Sequence, residues 1–320
     1  MSKKIVTVVG STGSQGGSIV RALLQDTAYT VRAVTRNPKS AAAQELANLG
    51  ASVVQADVND YESLVRAFSG SQIVFGVTNF YERFGSIGAE DAIEIEVQQG
   101  INLANAAAAT TSLEHYIWST LPNTRKISNG KNVVPHFDGK NTVDDYIKSN
   151  ASLLQKTTFL WVAFYATNIL FPVFQPFNVP TAGPDKFIQL QATPESVSIK
   201  SIGDAKANVG PFVKAIIEKR ELTLPGKFVL ADVEDLTAGE FLSRWAKAQK
   251  KEARYIQVDK ETFSKTWPMW GEVMNKMMTY FEEAKDKSWS GEEGILTKGE
   301  LRITGLVSTA DAFSKLSGHD

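Results

Sequence analysis

The sequence has 320 residues, 43% of them hydrophobic and 22% charged, a composition typical of a soluble globular protein with one large or two smaller domains. Its 34 basic and 35 acidic residues give a net charge of −1, which argues against direct binding to nucleic acid or to an anionic membrane. Cysteine is absent from the sequence, so disulfides, thiolate catalysis and cysteine-ligated zinc are excluded.

Metal binding and membrane insertion are also not expected. The three histidines, His115, His136 and His319, lie far apart and lack metal-ligand spacing with nearby carboxylates. The first residues lead into an apolar run without the features of a signal peptide, and no apolar stretch reaches the ~18 residues of a membrane span. We therefore expect a cytoplasmic protein without a metal.

The first predicted elements are a strand, a glycine-rich turn and a helix. The β-branched run Ile5–Val9 suits a buried parallel strand, and the apolar residues of segment 18–24 form one helical stripe. Between them, Gly10, Gly13 and Gly16 permit a sharp turn and let a pyrophosphate approach backbone N–H groups at a helix N-terminus. We interpret the turn as a dinucleotide cradle, in which a side chain at Gly13 or Gly16 would block the ligand and disfavour positive φ.

The Gly-x-x-Gly-x-x-Gly spacing of this turn resembles the short-chain dehydrogenase/reductase superfamily, in its extended or atypical branch. The alternative to a dinucleotide cradle is a turn that needs glycine for steric reasons alone and binds no ligand.

The second predicted strand, Tyr29–Thr35, ends immediately before Arg36 and Asn37. NAD-binding folds place an acidic side chain at this point for the ribose hydroxyls, whereas a cation suits the 2′-phosphate of NADP. Arg36, with Lys39 nearby, therefore indicates NADP(H) as the cofactor. A solvated arginine at the start of a loop is the alternative.

The third predicted strand, Ala51–Asp57, ends in a residue with two interpretations. Asp57, followed by Val58, occupies the place where this superfamily contacts adenine. Asp57 could equally cap the next helix, a position for which Asp60 competes.

The fourth predicted strand, Gln72–Thr78, leads into Asn79 and Phe80. Ligands of open parallel sheets bind outside the carboxyl ends of the strands. Thr78, Asn79 and Phe80 are therefore candidates for the cofactor wall.

A fifth strand, His115–Ser119, completes an alternation of strands and helices. The helices of this half are predicted at Ala41–Leu49, Tyr61–Phe68, Asp91–Ala109 and Asp138–Lys148. Such an alternation predicts an α/β fold, a Rossmann-like doubly wound parallel sheet with right-handed crossovers.

Two stretches give a more specific resemblance. Tyr116–Asn123, followed by Val134–Lys140, resembles the NmrA-like family of atypical short-chain reductases, especially its fungal members. With the glycine turn and Arg36, the resemblance covers essentially the whole N-terminal half. It implies an NADP-binding fold; family members include regulators with little or no turnover and true reductases, some of them in natural-product biosynthesis.

Lys140 stands where the superfamily keeps the lysine of its Tyr-x-x-x-Lys pair, but the residue four positions earlier is His136. The resemblance implies that Lys140 holds the nicotinamide ribose and lowers the pKa of a neighbour by its charge. The usual phenol is missing. His136 could replace it as proton donor, because its unperturbed pKa lies near neutrality, or it could be a loop histidine beside Pro135.

A sixth strand, Thr157–Ala163, is followed by Tyr165 and Asn168. This segment resembles the Tyr-x-x-Asn element of the family, which lies over the nicotinamide. Tyr165 is therefore a second candidate acid, with a rim aromatic that shapes the pocket as the alternative.

The composition shifts toward proline and aromatic residues after Asn168, and we predict two domains. Residues 1–163 form the NADP-binding domain and residues 164–320 a smaller α/β substrate domain, while a strand near 227–231 rejoins the main sheet. Further helices are predicted at Thr237–Lys250 and Trp270–Lys285.

The last predicted helix and its approach are rich in methionine and aromatic residues. These residues are Trp267, Met269, Trp270, Met274, Met277, Met278, Tyr280 and Phe281. Such a stripe is usually core, but adaptable and flat apolar side chains also suit a pocket for a bulky, aromatic or polycyclic substrate.

The candidate site and function follow from these elements. The candidate catalytic residues are Lys140, Tyr165 and His136, and the candidate cofactor-binding residues are Gly10, Thr12, Gly13, Ser14, Gln15, Gly16, Arg36, Asn37, Asp57, Val58, Thr78, Asn79, Phe80, Lys140, Tyr165 and Asn168. The favoured function is an NADPH-dependent reductase of a carbonyl, enone or imine group in a small molecule. The alternative is a catalytically weak NADP(H)-sensing regulator that binds a partner protein.

Overall fold

The computed structural model describes residues 3–316 and is built on a seven-stranded parallel sheet flanked by helices. His319 and the remainder of both termini lie outside the described residues. The strands are β1 (Lys4–Val8), β2 (Tyr29–Thr35), β3 (Ser52–Gln55), β4 (Ile73–Gly76), β5 (His115–Thr120), β6 (Thr157–Val162), β7 (Phe164–Tyr165), β8 (Phe177–Asn178), β9 (Lys186–Gln191), β10 (Ser198–Gly203), β11 (Lys227–Ala231), β12 (Glu234–Thr237) and β13 (Glu252–Gln257).

The helices alternate with the strands of the first half and continue through the second half. They are α1 (Ser14–Leu24), α2 (Ala41–Asn48), α3 (Tyr61–Phe68), α4 (Tyr81–Ile87), α5 (Ala89–Ala109), α6 (Thr124–Ile127), α7 (Pro135–Ser149), α8 (Ala151–Leu154), α9 (Ala205–Glu218), α10 (Arg220–Thr223), α11 (Ala238–Ala248), α12 (Lys260–Thr266), α13 (Trp270–Ala284) and α14 (Thr309–Ser314). Short 3₁₀ helices span Ala166–Leu170 and Lys285–Lys287. No helix within residues 3–316 combines the length and the apolar character that crossing a membrane requires.

The main sheet has the strand order β3-β2-β1-β4-β5-β6-β11, and every neighbouring pair is parallel. The predicted doubly wound parallel sheet is therefore confirmed. Strand order reverses between β1 and β4, which is where ligands bind in such sheets, outside the carboxyl ends of the strands.

Part of the C-terminal half packs with this sheet. Strand β11 lies parallel to β6, and helix α9 packs closely on α1, where the backbone N–H of Gly210 donates to Ser18 Oγ at 2.8 Å. A Cβ atom at Gly210 would lie 2.4 Å from the Ser18 carbonyl oxygen, so only glycine allows this approach. Two small sheets, β12-β10-β7 and β13-β9-β8, make up the remaining strands. The division at residue 163 stays a prediction.

Several elements differ from the sequence-based prediction. Strands β9 and β13 pair in parallel although the sequence pattern did not indicate them, and the short helix α4 follows β4 directly. Helix α7 begins at Pro135 rather than Asp138, because proline is favoured in the first turn, where its missing N–H has no intrahelical partner. His136 is thus a helical residue, and the loop interpretation was wrong.

A buried carboxylate fixes α7 to the middle of the sheet. Asp144, 4% exposed, accepts hydrogen bonds from Trp118 Nε1 at 2.8 Å and from Thr120 Oγ1 at 2.9 Å, both on β5. Burial raises the pKa of Asp144 to about 7, an effect opposed by the hydrogen bond from Thr120 and the charge of Lys148. The folded protein therefore holds a proton that the unfolded chain releases near pH 4.

We expect the contribution of Asp144 to stability to fall as pH rises from about 4 to about 7. In this window the folded state binds more protons than the unfolded state, so the free energy of unfolding decreases by up to about 1.4 kcal/mol per pH unit from this group. Asp144→Asn should remove that dependence, so the variant should gain stability relative to the parent between pH 4.5 and 7 in urea unfolding. The exposed neighbour Asp145 provides the control variant, Asp145→Asn. Parallel stability curves for Asp144→Asn and the parent would contradict the assignment.

Candidate functional site

One cavity of about 720 Å³ opens at the carboxyl ends of the central strands. Of the predicted site residues, all except Asp57 line it: Gly10, Thr12, Gly13, Ser14, Gln15, Gly16, Arg36, Asn37, Val58, Thr78, Asn79, Phe80, His136, Lys140, Tyr165 and Asn168. The fold thus brings together residues that are far apart in the chain, and the volume is in the range of small-molecule and cofactor sites.

The glycine turn forms one end of the cavity. Gly10 has φ 64°, in the left-handed region, and its carbonyl accepts from the Gly13 N–H at 2.9 Å. A Cβ at Gly16 would lie 2.3 Å from the Gly10 carbonyl oxygen, so α1 can approach the turn only through glycine. The expectation of a positive φ at Gly13 or Gly16 was wrong, since Gly13 has φ −90° and Gly16 is helical; the residue of this turn with positive φ is Gly10.

The N-terminus of α1 is open toward the cavity. Within the described chain no side chain caps this helix, and its first turn contains no acidic residue. The backbone N–H groups of a first helical turn lack intrahelical partners and carry the positive end of the helix dipole. This end can therefore accept an anion such as a pyrophosphate.

Arg36 at the end of β2 is paired with an acid. Its guanidinium donates to Glu82 on α4, and the two side chains are 57% and 36% exposed. Asn37 closes a tight turn, in which its side-chain oxygen accepts from the Lys39 N–H at 3.0 Å. A phosphate that binds Arg36 would compete with the Glu82 carboxylate.

Asp57 does not line the cavity. Its carboxylate accepts from the backbone and side-chain nitrogens of Asn59 at 2.9 and 2.8 Å. The helix cap belongs to Asp60, which accepts from the Ser63 N–H at 3.1 Å. The capping interpretation of Asp57 was wrong, and the adjacent Val58 lines the cavity in its place.

Lys140 lies on the cavity wall in a buried ion pair. Its Nζ is 3.1 Å from Glu96 Oε1 and donates to Thr78 Oγ1 at 2.9 Å, while Thr78 Oγ1 donates to the same Glu96 oxygen at 2.8 Å. Glu96 is 1% exposed, and no atom of residues 3–316 hydrogen-bonds its Oε2. The ammonium group of Lys140 is thus compensated inside the protein before any ligand binds.

His136 lines the cavity as a neutral imidazole. It packs against the rings of Phe80, Tyr81 and Phe137 at centroid distances of 5.8, 5.3 and 4.9 Å. Burial, together with the nearby charge of Lys140, lowers the pKa of His136 to about 3. Its Nδ1 has no hydrogen-bond partner in the described chain. A charged imidazolium, the acid form, is therefore absent near neutral pH.

Tyr165 also lines the cavity, and a hydrogen-bonded glutamine holds its phenol. Gln15 Nε2 donates to the Tyr165 hydroxyl oxygen at 2.7 Å, and Gln15 Oε1 accepts from Ser119 Oγ at 2.8 Å. Burial raises the pKa of Tyr165 to about 12, and the hydrogen bond from Gln15 opposes this rise.

A large part of the cavity wall is apolar and mostly aromatic. This part consists of Tyr81, Phe137, Phe164, Phe171, Phe174, Met274, Met277, Phe281 and Trp289, with smaller aliphatic residues; uncharged polar side chains such as Gln99, Ser119 and Thr120 also line the cavity. Of the predicted methionine and aromatic stripe, Met274, Met277 and Phe281 line the cavity. Trp270 packs behind it, with its ring centroid 4.6 Å from that of Phe84.

The sequence reasoning missed four functional candidates: Tyr81, Glu82, Glu96 and Ser119. Two of them carried a local signal, because Tyr81 follows the predicted cofactor wall directly and Ser119 ends the fifth strand at the ligand edge. Glu96 and Glu82 had none, since acidic residues on predicted helices usually face solvent. Among the described residues, no group of three His, Cys, Asp or Glu side chains could hold a metal ion.

Comparison with known proteins gives consistent matches. The model of the NmrA-like family matches residues 2–303. An NmrA-like family domain-containing protein of Dictyostelium discoideum is 31% identical over 288 residues, 88% of each chain. An NmrA-like family domain-containing oxidoreductase of Aspergillus hancockii is 35% identical over 173 residues, so that the match spans half of that relative's length and 54% of this chain.

Among solved structures, NmrA, a negative transcriptional regulator crystallised in complex with NADP, superimposes with a TM-score of 0.75. The match covers 99% of this chain and 96% of the other at 21% identity. At 21% sequence identity, this structural similarity shows a shared fold and nothing beyond the fold.

We expect Gly16→Ala to destabilise the protein, because its methyl group would overlap the Gly10 carbonyl. Alanine is the better helix former by about 1 kcal/mol, so any loss must come from the contact. Overpacking of this kind costs about 1–3 kcal/mol. The control is Gly299→Ala, whose Cβ would meet only Thr297 Oγ1 at 3.6 Å and should change stability by less than about 0.5 kcal/mol. Equal stability of the two variants in urea unfolding would contradict the close approach.

Proposed function

The chain belongs to the NmrA-like family, and from this premise we propose that it is a reductase that uses NADPH to reduce a carbonyl, enone or imine group of a neutral, bulky or aromatic small molecule. The observation that carries the proposal is one cavity with two kinds of lining. An open helix N-terminus and an arginine line it together with a phenol and aromatic side chains. An anionic dinucleotide and an apolar substrate would therefore meet in one space.

The residues at the nucleotide end fit NADPH. Gly16 allows α1 to approach the turn closely, the uncapped N-terminus of α1 can hold the pyrophosphate, and Arg36 offers a charged donor for the 2′-phosphate. Thr78, Asn79 and Asn168 offer polar groups along the path toward Tyr165. When bound, NADPH supplies the hydride.

The substrate end favours an uncharged molecule. Of the described residues that line the cavity, three carry a charge, Arg36, Glu82 and Lys140, and each of these has an opposite charge beside it. His136 is neutral, and the other described residues that line the cavity are apolar or uncharged polar. A charged group placed there would lose hydration without a free partner. A natural product with an aromatic ring system has the required chemistry, and natural-product biosynthesis remains a prediction.

We assign the proton donor as Tyr165. His136 lacks the charged acid form, and Lys140 is committed to Glu96 and Thr78. Tyr81 also lines the cavity, but burial and the negative charges that Glu96 and Tyr165 would carry raise its pKa, with no opposing interaction. Only the Tyr165 phenol receives an N–H hydrogen bond in the described chain, and this bond opposes the rise in pKa that burial causes. A Tyr165 proton can pass to the substrate oxygen or nitrogen.

The comparisons support this proposal in outline. The relative from Aspergillus hancockii is named an oxidoreductase, and the NmrA structure is a complex with NADP. Neither comparison identifies the substrate of this protein. A small molecule is the proposed partner; a protein partner belongs to the alternative of an NADP(H)-sensing regulator.

We expect NADP(H) to bind more tightly than NAD(H), because Arg36 pairs with the 2′-phosphate. Arg36→Ala should weaken NADP(H) binding about ten- to a hundredfold and leave the affinity for NAD(H) unchanged. Glu82→Gln should strengthen NADP(H) binding about two- to fivefold by removing the competing carboxylate, as exposed ion pairs are weak.

The control for these variants is Glu90→Gln, which neutralises an exposed acid in the first turn of α5. Titration calorimetry with all four nucleotides measures the affinities. Equal affinities of the parent protein for NADP and NAD, or weaker NADP binding by Glu82→Gln, would contradict this assignment.

We expect Tyr165→Phe to lower turnover by ~10²–10⁴-fold with cofactor affinity little changed, since this is the usual contribution of a general acid. Tyr81→Phe is the matched control, because it removes the other cavity phenol, and His136→Gln tests the imidazole. Both should reduce turnover much less than Tyr165→Phe. A larger loss in either control would transfer the role of donor to that residue.

The assay is NADPH consumption with panels of ketones, enones and imines. If no panel member is reduced while NADP⁺ and NADPH differ in their effect on binding to a partner protein, the regulator function replaces the reductase. Lys140→Met leaves the buried Glu96 without its cation and should destabilise the fold, so its turnover is compared per folded molecule. A loss of turnover per folded molecule would indicate that Lys140 also holds the nicotinamide ribose.

A further inference from the structure

We propose that Gln15 is a positioning residue that orients the Tyr165 phenol and stabilises its deprotonated form, and that Ser119 fixes the orientation of Gln15. The inference rests on the proposed function, in which Tyr165 donates the proton. It gives the side chain of Gln15 a role other than cofactor binding, while the Gln15 backbone remains part of the open turn of α1.

Three elements of the fold meet at this point. Gln15 lies in the first turn of α1, Ser119 is in β5, and Tyr165 is in β7. The Gln15 amide is held at both ends, because its oxygen accepts from Ser119 at 2.8 Å and its nitrogen donates to Tyr165 at 2.7 Å. The two partners are 104 and 150 residues away in the chain, so the tertiary fold creates the contact and not the local sequence.

The direction of the second hydrogen bond decides what the phenol can do. A phenol oxygen has one hydrogen to donate and lone pairs to accept. The Gln15 N–H occupies a lone pair, and no atom of residues 3–316 accepts the Tyr165 hydrogen. Because Tyr165 lines the cavity, this hydrogen is available to the oxygen or nitrogen of a substrate.

The same bond stabilises the charge that proton transfer leaves behind. When the Tyr165 O–H bond breaks and its proton forms a bond with the substrate oxygen, the electron pair stays on the phenolate oxygen. A hydrogen bond to an ionised acceptor is about twice as strong as one to a neutral acceptor, so the Gln15 contact strengthens at that moment. A solvent proton then restores the phenol.

The decisive experiment measures ionisation at position 165 without turnover. A fluorinated tyrosine, which ionises several pH units below tyrosine, replaces Tyr165, and fluorine NMR follows its titration within the range in which the protein is folded. Gln15→Met, similar in size but without a donor, should raise the midpoint by about 1–2 pH units, the equivalent of a charge-assisted hydrogen bond. Gln15→Glu should raise it further, because a carboxylate accepts the phenol hydrogen and repels the phenolate.

Two further variants test the geometry. Ser119→Ala should raise the midpoint by less than Gln15→Met, since the amide loses its anchor but keeps its donor. The control is Gln99→Met, which removes a cavity glutamine that donates to Asn59 at 3.0 Å, and it should leave the midpoint unchanged. An unchanged or lowered midpoint in Gln15→Met would overturn the proposal, as would equal shifts in the Gln99 control.

Kinetics distinguish this inference from the proposed function. If the reductase function holds, Gln15→Met should lower kcat about ten- to a hundredfold with KM little changed. Combining Gln15→Met with Tyr165→Phe should lower kcat no further than Tyr165→Phe alone, because both substitutions disable the same hydrogen-bonded proton donor. If the protein proves to be no reductase, the midpoint shift still tests whether Gln15 controls the phenol. Additive losses in the double variant would overturn the positioning role.

Discussion

The common direction of the seven strands is the constraint on which the site depends. Because all of them are parallel, their carboxyl ends meet at one edge of the sheet, and the reversal of strand order between β1 and β4 leaves a cleft there. Gly10, Arg36, Ser119 and Tyr165 follow or end different strands of the fold, and all four line one cavity. The close approach of α1 at Gly16 then turns the N–H groups of that helix toward the same space. No single loop could bring these groups together.

The sequence predicted those parts of the site that have a local cause. Alternating apolar runs and the glycine spacing located the strands, the turn and Arg36, since periodicity and backbone freedom are properties of short segments. The state of His136 could not be predicted, because its burial comes from rings on α4 and α7. The same limit applies to Glu96, whose partner Lys140 lies on another helix. A helical stripe likewise could not show that Met274 faces the cavity while Trp270 packs behind it.

The cavity contains two ion pairs of different character. Arg36 and Glu82 are solvent-exposed, so their attraction is weak and a phosphate can replace the carboxylate. Lys140 and Glu96 are buried, and removing either partner would leave an uncompensated charge inside the protein, which is strongly destabilising. The first pair can exchange partners with a ligand and the second keeps its own. This difference separates recognition of the nucleotide from maintenance of the pocket.

Helix α4 touches both ends of the cavity. Glu82 pairs with Arg36 at the nucleotide end, while Tyr81 stacks on Trp270 and contacts Phe171 at the substrate end, with ring centroids 5.7 and 5.8 Å apart. The two side chains are adjacent on a helix of seven residues. A nucleotide phosphate that shifts the backbone of this helix by displacing Glu82 would therefore also shift the aromatic wall. Thermodynamic linkage requires the coupling to be reciprocal: whatever factor the nucleotide applies to substrate affinity, the substrate applies to nucleotide affinity.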